Sequence, residues 1–274
     1  PVLLDENDLS VVGIDPEYDY TGDAIKPDVT VRLDIDGREL VAGQEYLVSY
    51  GENTDAGEGT VTITLWGNYA SIDPIVKTFT IKPILITEAR FTVDRPYSGE
   101  PAQTEVEQAT GYTAAITWKE ALNTDGTFVK NTVYTAKIVV TPEKNYAFPA
   151  IPRVYINEAN PDRTYTDGSK AVAELAFPRT VNGYPVSLHI VAQPAKLQYD
   201  EGDLLDISDL VVGLKHDNDE VTNIGIADFA KRFTPSIANG TVLNKAKHNA
   251  KVVTIQYAFQ SSIRAYTDYL SVKS

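Results

Sequence analysis

The stretch Val29-Thr30-Val31-Arg32-Leu33-Asp34-Ile35-Asp36-Gly37 decides the fold of the first part of the chain. Its apolar residues alternate with polar ones, which predicts a half-buried antiparallel strand from Val29 to Ile35. Asp36-Gly37 then predicts a tight turn. The same period of two recurs further along the chain, at Tyr46, Val48 and Tyr50, at Val61, Ile63 and Leu65, and at Phe79 and Ile81. The sequence from Tyr20 to Ile81 therefore predicts a small β-sandwich.

Glycine and asparagine separate these predicted strands, as at Gly67-Asn68. The order of the pieces, from Tyr20-Thr21-Gly22 to Phe79-Thr80-Ile81, resembles a bacterial immunoglobulin-like repeat that occurs in tandem on large surface proteins. The resemblance implies a module that holds or displays another part of its protein. We expect this domain to span residues 1–83 and to end at Lys82-Pro83, because proline interrupts strand pairing.

Residues 84–183 predict a second sandwich. Two further runs alternate in the same way, namely Tyr112, Ala114, Ile116 and Trp118, and Tyr134, Ala136, Ile138 and Val140. Turn-forming residues separate the strands at Asn123-Thr124-Asp125-Gly126 and at Pro142-Glu143-Lys144-Asn145. Four pieces are similar to a second kind of sandwich repeat of surface proteins, namely Gly111-Tyr112-Thr113-Ala114, Ile116-Thr117-Trp118, Asn131-Thr132…Tyr134-Thr135-Ala136 and Tyr146-Ala147-Phe148.

Residues 184–274 predict a third sandwich. The segments Tyr199-Asp200-Glu201-Gly202-Asp203, Leu205-Asp206 and Leu210-Val211-Val212 are similar to another bacterial immunoglobulin-like group. Val253, Ile255 and Tyr257 predict a strand near the end of the chain. Ile226 to Phe233 predicts one short helical turn, because its apolar residues fall at helical spacing.

The predicted fold is therefore all-β, with three consecutive Ig-like antiparallel β-sandwich domains in an elongated array. Sixteen tyrosines suit strands rather than helices. The joints contain Pro83 and Pro185 and are only a few residues long, so we expect little bending between neighbouring domains.

Composition excludes several classes of function. The chain has no cysteine, which removes disulfides, thiolate zinc sites and cysteine nucleophiles. No apolar run is long enough to insert into a membrane. The net charge is −14, and 16 of the 38 acidic residues but only 5 of the 24 basic ones lie in residues 1–83, which disfavours nucleic acid as a partner. The chain begins with Pro1 and lacks methionine, so we expect it to be part of a longer gene product.

No catalytic motif is present. His189, His216 and His248 are the only histidines, and none lies in a metal-binding motif or beside another. There is no nucleophile elbow, no Ser-x-x-Lys pair and no glycine-rich phosphate loop. Asp200, Glu201, Asp203 and Asp206 form one group of carboxylates and Asp217, Asp219 and Glu220 another; such pairs serve glycosidases when they face each other across a cleft. The alternative is that these carboxylates lie in solvated turns. We expect that the chain is not an enzyme and has no catalytic residue and no cofactor.

Calcium is the only metal ion for which the sequence offers candidate residues, and we predict no definite metal site. His216-Asp217-Asn218-Asp219-Glu220 places several oxygen ligands in one short loop, as a hard cation requires. Asp217, Asp219 and Glu220 are the candidates. The alternative is a polar hairpin that binds nothing.

Trp66 and Tyr69 are the candidates for ligand binding. A tryptophan beside a Gly-Asn turn at a strand end can project its ring from a loop and stack on a sugar. The alternative is that both rings pack against the sandwich, as Trp118 is expected to do from its phase with Tyr112 and Ile116.

These features predict a non-catalytic structural or adhesive segment, a stalk or spacer, of a secreted or cell-surface bacterial protein. Its partners would be the neighbouring domains of that protein, and its location extracellular, at the cell surface or on the cell wall. The alternatives are a module that binds glycan or a host extracellular protein, and an accessory region of a surface carbohydrate-active enzyme.

Overall fold

A computed structural model describes residues 5–229 and 231–274. The described residues form strands joined by turns, with one short α-helix, α1 (Lys245–His248), and three single 3-10 turns, Glu6–Asp8, Gly67–Tyr69 and Ile226–Asp228. The predicted all-β class is confirmed.

The first sandwich has two layers. Its strands are β1 (Leu9–Val12), β2 (Glu17–Asp19), β3 (Thr30–Leu33), β4 (Tyr46–Tyr50), β5 (Gly57–Leu65) and β6 (Ile75–Lys82). Strands β1 and β3 form one sheet, and the other has the order β2-β6-β5-β4. Val31 and Leu33 of the small sheet pack in one core with Val61, Ile63 and Phe79 of the large sheet. The apolar residues of the alternating pattern in these strands therefore face the core, as predicted.

The prediction for Ile35 is wrong, because its side chain is 76% exposed. Strand β3 ends at Leu33, two residues earlier than predicted. The chain turns over residues 34–36, and the Gly37 amide closes the turn by donating to the Leu33 carbonyl at 2.8 Å. The turn breaks the period of two before Ile35, so this side chain leaves the core face.

The strand pairing is mostly antiparallel, as predicted, but not entirely. A strand from the beginning of each segment pairs in parallel with one from its later part. These parallel pairs are β2 with β6, Ile84–Leu85 with Tyr146–Ala147, Ala89–Phe91 with Val154–Ile156, and Gln198–Asp200 with Ser271–Lys273. Strand alternation carries no information on direction, so this feature could not be predicted.

The middle strands are β7 (Ile84–Leu85), β8 (Ala89–Phe91), β9 (Tyr112–Trp118), β10 (Thr135–Pro142), β11 (Tyr146–Ala147), β12 (Val154–Ile156), β13 (Arg163–Asp167) and β14 (Lys170–Ala176). Their main sheet has the order β13-β14-β10-β9. The side chains of Tyr134, Ala136, Ile138 and Val140 are fully buried, so the predicted inward face of this segment is confirmed.

The last strands are β15 (Pro185–Ala192), β16 (Gln198–Asp200), β17 (Val211–His216), β18 (Val221–Gly225), β19 (Phe233–Pro235), β20 (Thr254–Tyr257), β21 (Arg264–Tyr266) and β22 (Ser271–Lys273). The sheets β15-β17-β18 and β19-β20-β21 enclose one core. The helical turn predicted over Ile226–Phe233 is confirmed only at its start, as the 3-10 turn Ile226–Asp228, whereas Phe233 begins β19.

The chain divides into two compact units. The first contains residues up to 93, 105–116 and 137–175, and the second contains residues 94–104, 117–136 and 176–274. Residues 84–183 thus contribute to both units, and the domain boundaries predicted after residues 83 and 183 stay a prediction. No helix within the described ranges is long and apolar enough to cross a membrane.

Candidate functional site

The two residues predicted to bind a ligand have different surroundings. Trp66 lies just before the turn Gly67–Tyr69, and its side chain is 51% exposed. Tyr69 is buried, and its hydroxyl accepts a hydrogen bond from Nη2 of Arg38 at 2.5 Å. Glu45 holds the same guanidinium through both of its carboxylate oxygens, each at 3.1 Å. Tyr69 therefore anchors the turn, whereas Trp66 projects from it. Ligand binding at Trp66 stays a prediction.

Two of the three calcium candidates, Asp217 and Asp219, have a lysine beside their carboxylate. The Asp219 carboxylate lies 2.7 Å from Nζ of Lys215, and the Asp217 carboxylate accepts from Nζ of Lys130 at 3.2 Å. The Tyr184 backbone amide also donates to Asp217, and this hydrogen bond is the main cause that lowers the pKa of Asp217. The Glu220 backbone carbonyl accepts from the amide of His216.

Metal binding at this loop stays a prediction. Across residues 5–229 and 231–274, no three histidine, cysteine or acidic side chains are grouped so that they could hold a metal ion. The carboxylates of Asp217 and Asp219 lie beside lysine ammonium groups instead. A calcium ion would have to displace both lysines.

The carboxylates near residue 200 also have local roles. Asp203 accepts from Nζ of Lys196 at 3.0 Å, which is the main cause that lowers the pKa of Asp203. Asp206 accepts from the hydroxyl and the amide of Ser208 two residues later. These contacts are those of hydrogen-bonded turns.

A buried ion pair lies in the second unit, and the sequence did not indicate it. Nε of Arg232 donates to Oε1 of Glu100 at 2.6 Å, and the two side chains are only 10% and 7% exposed. The hydroxyl of Tyr257, which is 2% exposed, donates to the same oxygen at 2.9 Å. The Arg232 guanidinium also stacks on the Tyr97 ring, with Cζ 3.6 Å from the ring centroid. We call Glu100, Arg232, Tyr257 and Tyr97 the Glu100 cluster.

Backbone hydrogen bonds position both ends of this pair. The Glu100 carbonyl accepts from the amide of Phe128 at 2.9 Å, and the Gly99 amide donates to the Phe128 carbonyl at 2.8 Å. Gly99 adopts a φ of +76°, a conformation that glycine tolerates best. On the other side, the Arg232 carbonyl accepts from the amide of Ala258, next to Tyr257. Backbone hydrogen bonds thus hold both of the segments that carry the ion pair.

Burial perturbs the acids of the Glu100 cluster. Removal from water raises the pKa of Glu100, and the charge of Arg232 opposes this rise. Burial also raises the pKa of Tyr257 well above its usual range, and the neighbouring Glu100 carboxylate adds to the effect. The hydroxyl of Tyr257 therefore stays protonated and serves as a hydrogen-bond donor.

A cleft of about 680 Å³ opens beside the Glu100 cluster within the second unit. Its charged lining consists of Asp94, Arg95, Glu100, Asp228, Lys231 and Arg232. Polar and apolar side chains complete the wall, among them Gln103, Thr222, Asn223, Phe128 and Phe259. No histidine, cysteine or serine among the described residues lies in this lining.

Further contacts connect distant parts of the second unit. Lys231 pairs with Asp94 at 3.2 Å, and Lys130 pairs with Asp217 at 3.2 Å. The Ser98 hydroxyl donates to the carbonyl of Gly183. Residues before and after the predicted joint near residue 184 are therefore connected by side-chain contacts.

The first unit has a comparable bridge near Pro83. Oδ1 of Asn145 accepts from the Ala56 amide at 2.8 Å, and its Nδ2 donates to Asp55 at 3.1 Å. Lys144 adds an ion pair to the same Asp55 carboxylate at 2.7 Å. The amide of Ile84 donates to the Asn145 carbonyl. The joint between β6 and β7 is thus fixed by one polar turn.

The Glu100 cluster could not be found from the sequence. Glu100 and Arg232 are separated by 132 positions, and neither belongs to a local motif. The one signal is indirect, since Tyr257 falls in phase with the buried residues Val253 and Ile255 and therefore brings a hydroxyl into the core. A buried hydroxyl requires a partner.

No protein-family model matches the chain. No curated protein matches it either. Among solved structures, the chain is compared with a protocadherin gammaB7 EC3-6 cis-dimer at 9% identity and a TM-score of 0.20, covering 97% of this chain and 77% of that one. It is also compared with the protocadherin gammaB4 extracellular domain at 11% identity and a TM-score of 0.18, covering 97% of this chain and 49% of that one. Likeness this low carries no argument about fold or function.

Proposed function

We propose that the chain is a non-catalytic structural segment, a stalk or spacer, of a secreted or cell-surface bacterial protein. In this role each sandwich buries its own core and the joints hold neighbouring parts of the chain in fixed positions. The partners are the adjoining domains of the same protein, and the segment presents one of them away from the cell envelope.

The observation that carries this proposal is the bridging of both joints by side chains. The pair Glu100–Arg232 is buried, and the exposed pairs Asp94–Lys231 and Lys130–Asp217 lie in the same unit. In the other unit, Asn145 connects to residues 55 and 56. A flexible joint would not need such contacts, whereas a spacer that keeps its geometry under load needs contacts that hold its joints. Contacts across both joints therefore favour a mechanical role over a catalytic one.

A binding screen tests the proposal. The fragment would be applied to a glycan array and to a panel of extracellular-matrix proteins, once with calcium and once with a chelator. The spacer role predicts no saturable binding in either condition. Saturable binding that the Trp66→Ala variant loses would contradict it. Tyr269→Ala is the matched control, since it removes a ring that is 71% exposed at another site.

One observation favours the second candidate, a module that binds glycan or a host extracellular protein. Trp66 exposes about half of an indole beside a turn that Tyr69 and Arg38 hold in place. A projecting ring on a fixed turn is a suitable platform for a sugar, because its apolar face is already preorganised. The same screen decides between the two candidates.

A further inference from the structure

The dipeptide Asn-Gly occurs twice in the chain, at Asn182-Gly183 and at Asn239-Gly240. In this dipeptide the backbone nitrogen of the second residue can attack the asparagine side chain, because glycine has no side chain that hinders the approach. Both pairs lie between strands of the second unit, and both asparagines are exposed. On sequence alone the two asparagines are therefore equivalent candidates for this reaction.

The structure distinguishes them, because Asn239-Gly240 is held at both reacting groups. The Gly240 amide donates to the Leu205 carbonyl at 2.8 Å. Oδ1 of Asn239 accepts from the Ile207 amide at 2.8 Å. Attack of the Gly240 nitrogen on Cγ of Asn239 requires both hydrogen bonds to open, so only a small population of the folded chain can react there.

Asn182-Gly183 has neither restraint. Among the described residues, no hydrogen-bond partner is assigned to the Asn182 side chain or to the Gly183 amide. The hydrogen bonds of this segment are made by its carbonyl groups instead. The Gly183 carbonyl accepts from the Ser98 hydroxyl, and the Val181 carbonyl accepts from the Asn131 amide. No hydrogen bond therefore holds the attacking nitrogen or the attacked side chain.

We propose that Asn182 is a site of spontaneous deamidation, with water as the only co-reactant. The Gly183 nitrogen bonds to Cγ of Asn182, and its proton passes through water to Nδ2, which leaves as ammonia when the Cγ–Nδ2 bond breaks. The resulting succinimide ring then adds water and opens at one of its two C–N bonds. Opening at Cγ gives an aspartate. Opening at the backbone carbonyl carbon gives an isoaspartate, whose main chain continues through Cγ.

The isoaspartate product would alter the joint near residue 184, because it inserts one carbon atom into the main chain. Tyr184 follows two residues later and exchanges two hydrogen bonds with Asp217. Its amide donates to the Asp217 carboxylate at 2.9 Å, and its carbonyl accepts from the Asp217 amide at 2.8 Å. We expect the isoaspartate product to weaken this pair of bonds. The modification does not depend on the proposed spacer role.

Peptide mapping by mass spectrometry tests the proposal. The whole chain is aged at mildly alkaline pH, once folded and once in guanidinium chloride, and deamidation is followed separately in the peptides that contain Asn182 and Asn239. In the folded chain we expect Asn182 to react at least about tenfold faster than Asn239, the factor expected when one or two hydrogen bonds must open. In denaturant the two rates should become similar, because the folded-state hydrogen bonds are absent. Equal rates in the folded chain, or a ratio that denaturant leaves unchanged, would overturn the proposal.

Two variants assign the reaction and its effect to this position. Asn182→Gln should stay unmodified under the same conditions, because glutamine would have to close a larger ring; ammonia loss at an unchanged rate would overturn the proposal. Asn182→Asp carries the added charge on an unaltered main chain, so hydrogen exchange at the Tyr184 and Asp217 amides should be faster in the aged chain than in this variant. Equal exchange in the two would contradict the expected change at the joint. Gly183→Ala is unsuitable, since an added Cβ would lie 2.5 Å from Oδ1 of Asn218 and disturb the joint directly.

Discussion

Replacing Arg232 by methionine should destabilise the second unit in a pH-dependent way. The substitution keeps the length of the side chain but leaves the Glu100 carboxylate buried without its cation. Removal of one partner from a buried pair typically costs about 3–5 kcal/mol. Glu100 limits this cost because it can take up a proton instead.

The limit follows from the titration of the carboxyl group. Protonating a glutamate with an ordinary pKa of about 4.3 costs about 1.4 kcal/mol for each pH unit above that value, or roughly 3–4 kcal/mol at pH 7. Burial already raises the pKa of Glu100, and loss of Arg232 raises it further. A group whose pKa is higher in the folded than in the unfolded state stabilises the fold at pH values below its unfolded-state pKa. This stabilisation is lost as the pH rises through its folded-state pKa. The cost of Arg232→Met should therefore be about 3 kcal/mol at pH 7 and should decrease toward pH 5.

The assay is urea unfolding followed by tryptophan fluorescence. The chain has two tryptophans, Trp66 in the first unit and Trp118 in the second, so a Trp66→Phe background makes Trp118 a reporter of the second unit alone. Trp118 suits this use because it packs edge-on against Phe128, with the ring centroids 4.9 Å apart. Unfolding free energies would be measured at pH 5 and pH 7.

Two controls make this result specific. Lys215→Met removes one partner of the exposed pair Lys215–Asp219 and should cost no more than about 1 kcal/mol. The double variant Arg232→Met/Glu100→Gln removes both charges and should recover part of the loss at pH 7. A cost of Arg232→Met as small as that of Lys215→Met, or one that does not change with pH, would refute the reasoning.

Three further predictions concern other parts of the molecule. Asn53→Ala should cost about 2–4 kcal/mol by calorimetry, because the buried amide makes three hydrogen bonds, to Ile25 and twice to Thr60; a loss below about 1 kcal/mol would contradict this. Tyr69→Phe should cost about 1 kcal/mol, because it removes only the hydrogen bond from Arg38, whereas Trp66→Ala should stay within about 0.5 kcal/mol of the wild type. Calcium should not shift the melting temperature, because lysines occupy the carboxylates of Asp217 and Asp219; a saturable shift that Asp219→Asn abolishes would establish a calcium site instead.

The sequence predicted the buried faces well, because each strand records its own alternation. Tyr134 and Ile138 are fully buried as expected, and so are Ile63 and Ile255. Ile35 was misplaced because the turn closed by Gly37 interrupts the alternation before the apolar pattern ends. The pattern shows which side of a strand is apolar, and the hydrogen bonds of the turn decide where that strand stops.

The site was predicted less well, since it depends on residues far apart in the chain. Glu100 lies in a segment with no strand pattern, and Arg232 lies in a turn, so neither position suggests burial. Their pairing arises only when the backbone bonds of Phe128 and Ala258 bring the two segments to one place. For Trp66 the local turn motif left two alternatives open, a projecting ring or a packed one, and the structure shows the ring about half exposed.

Residue-specific hydrogen exchange is the most direct test of the claim that the joint near residue 184 is fixed. The amides of Gly99 and Phe128 lie on one side of the joint, and those of Tyr257 and Ala258 lie on the other. We predict that all four exchange with the same free energy of opening and that Arg232→Met lowers this free energy by the same amount for each. Faster and independent exchange at Gly99 and Phe128, unaffected by Arg232→Met, would contradict a fixed joint and with it the proposed spacer role.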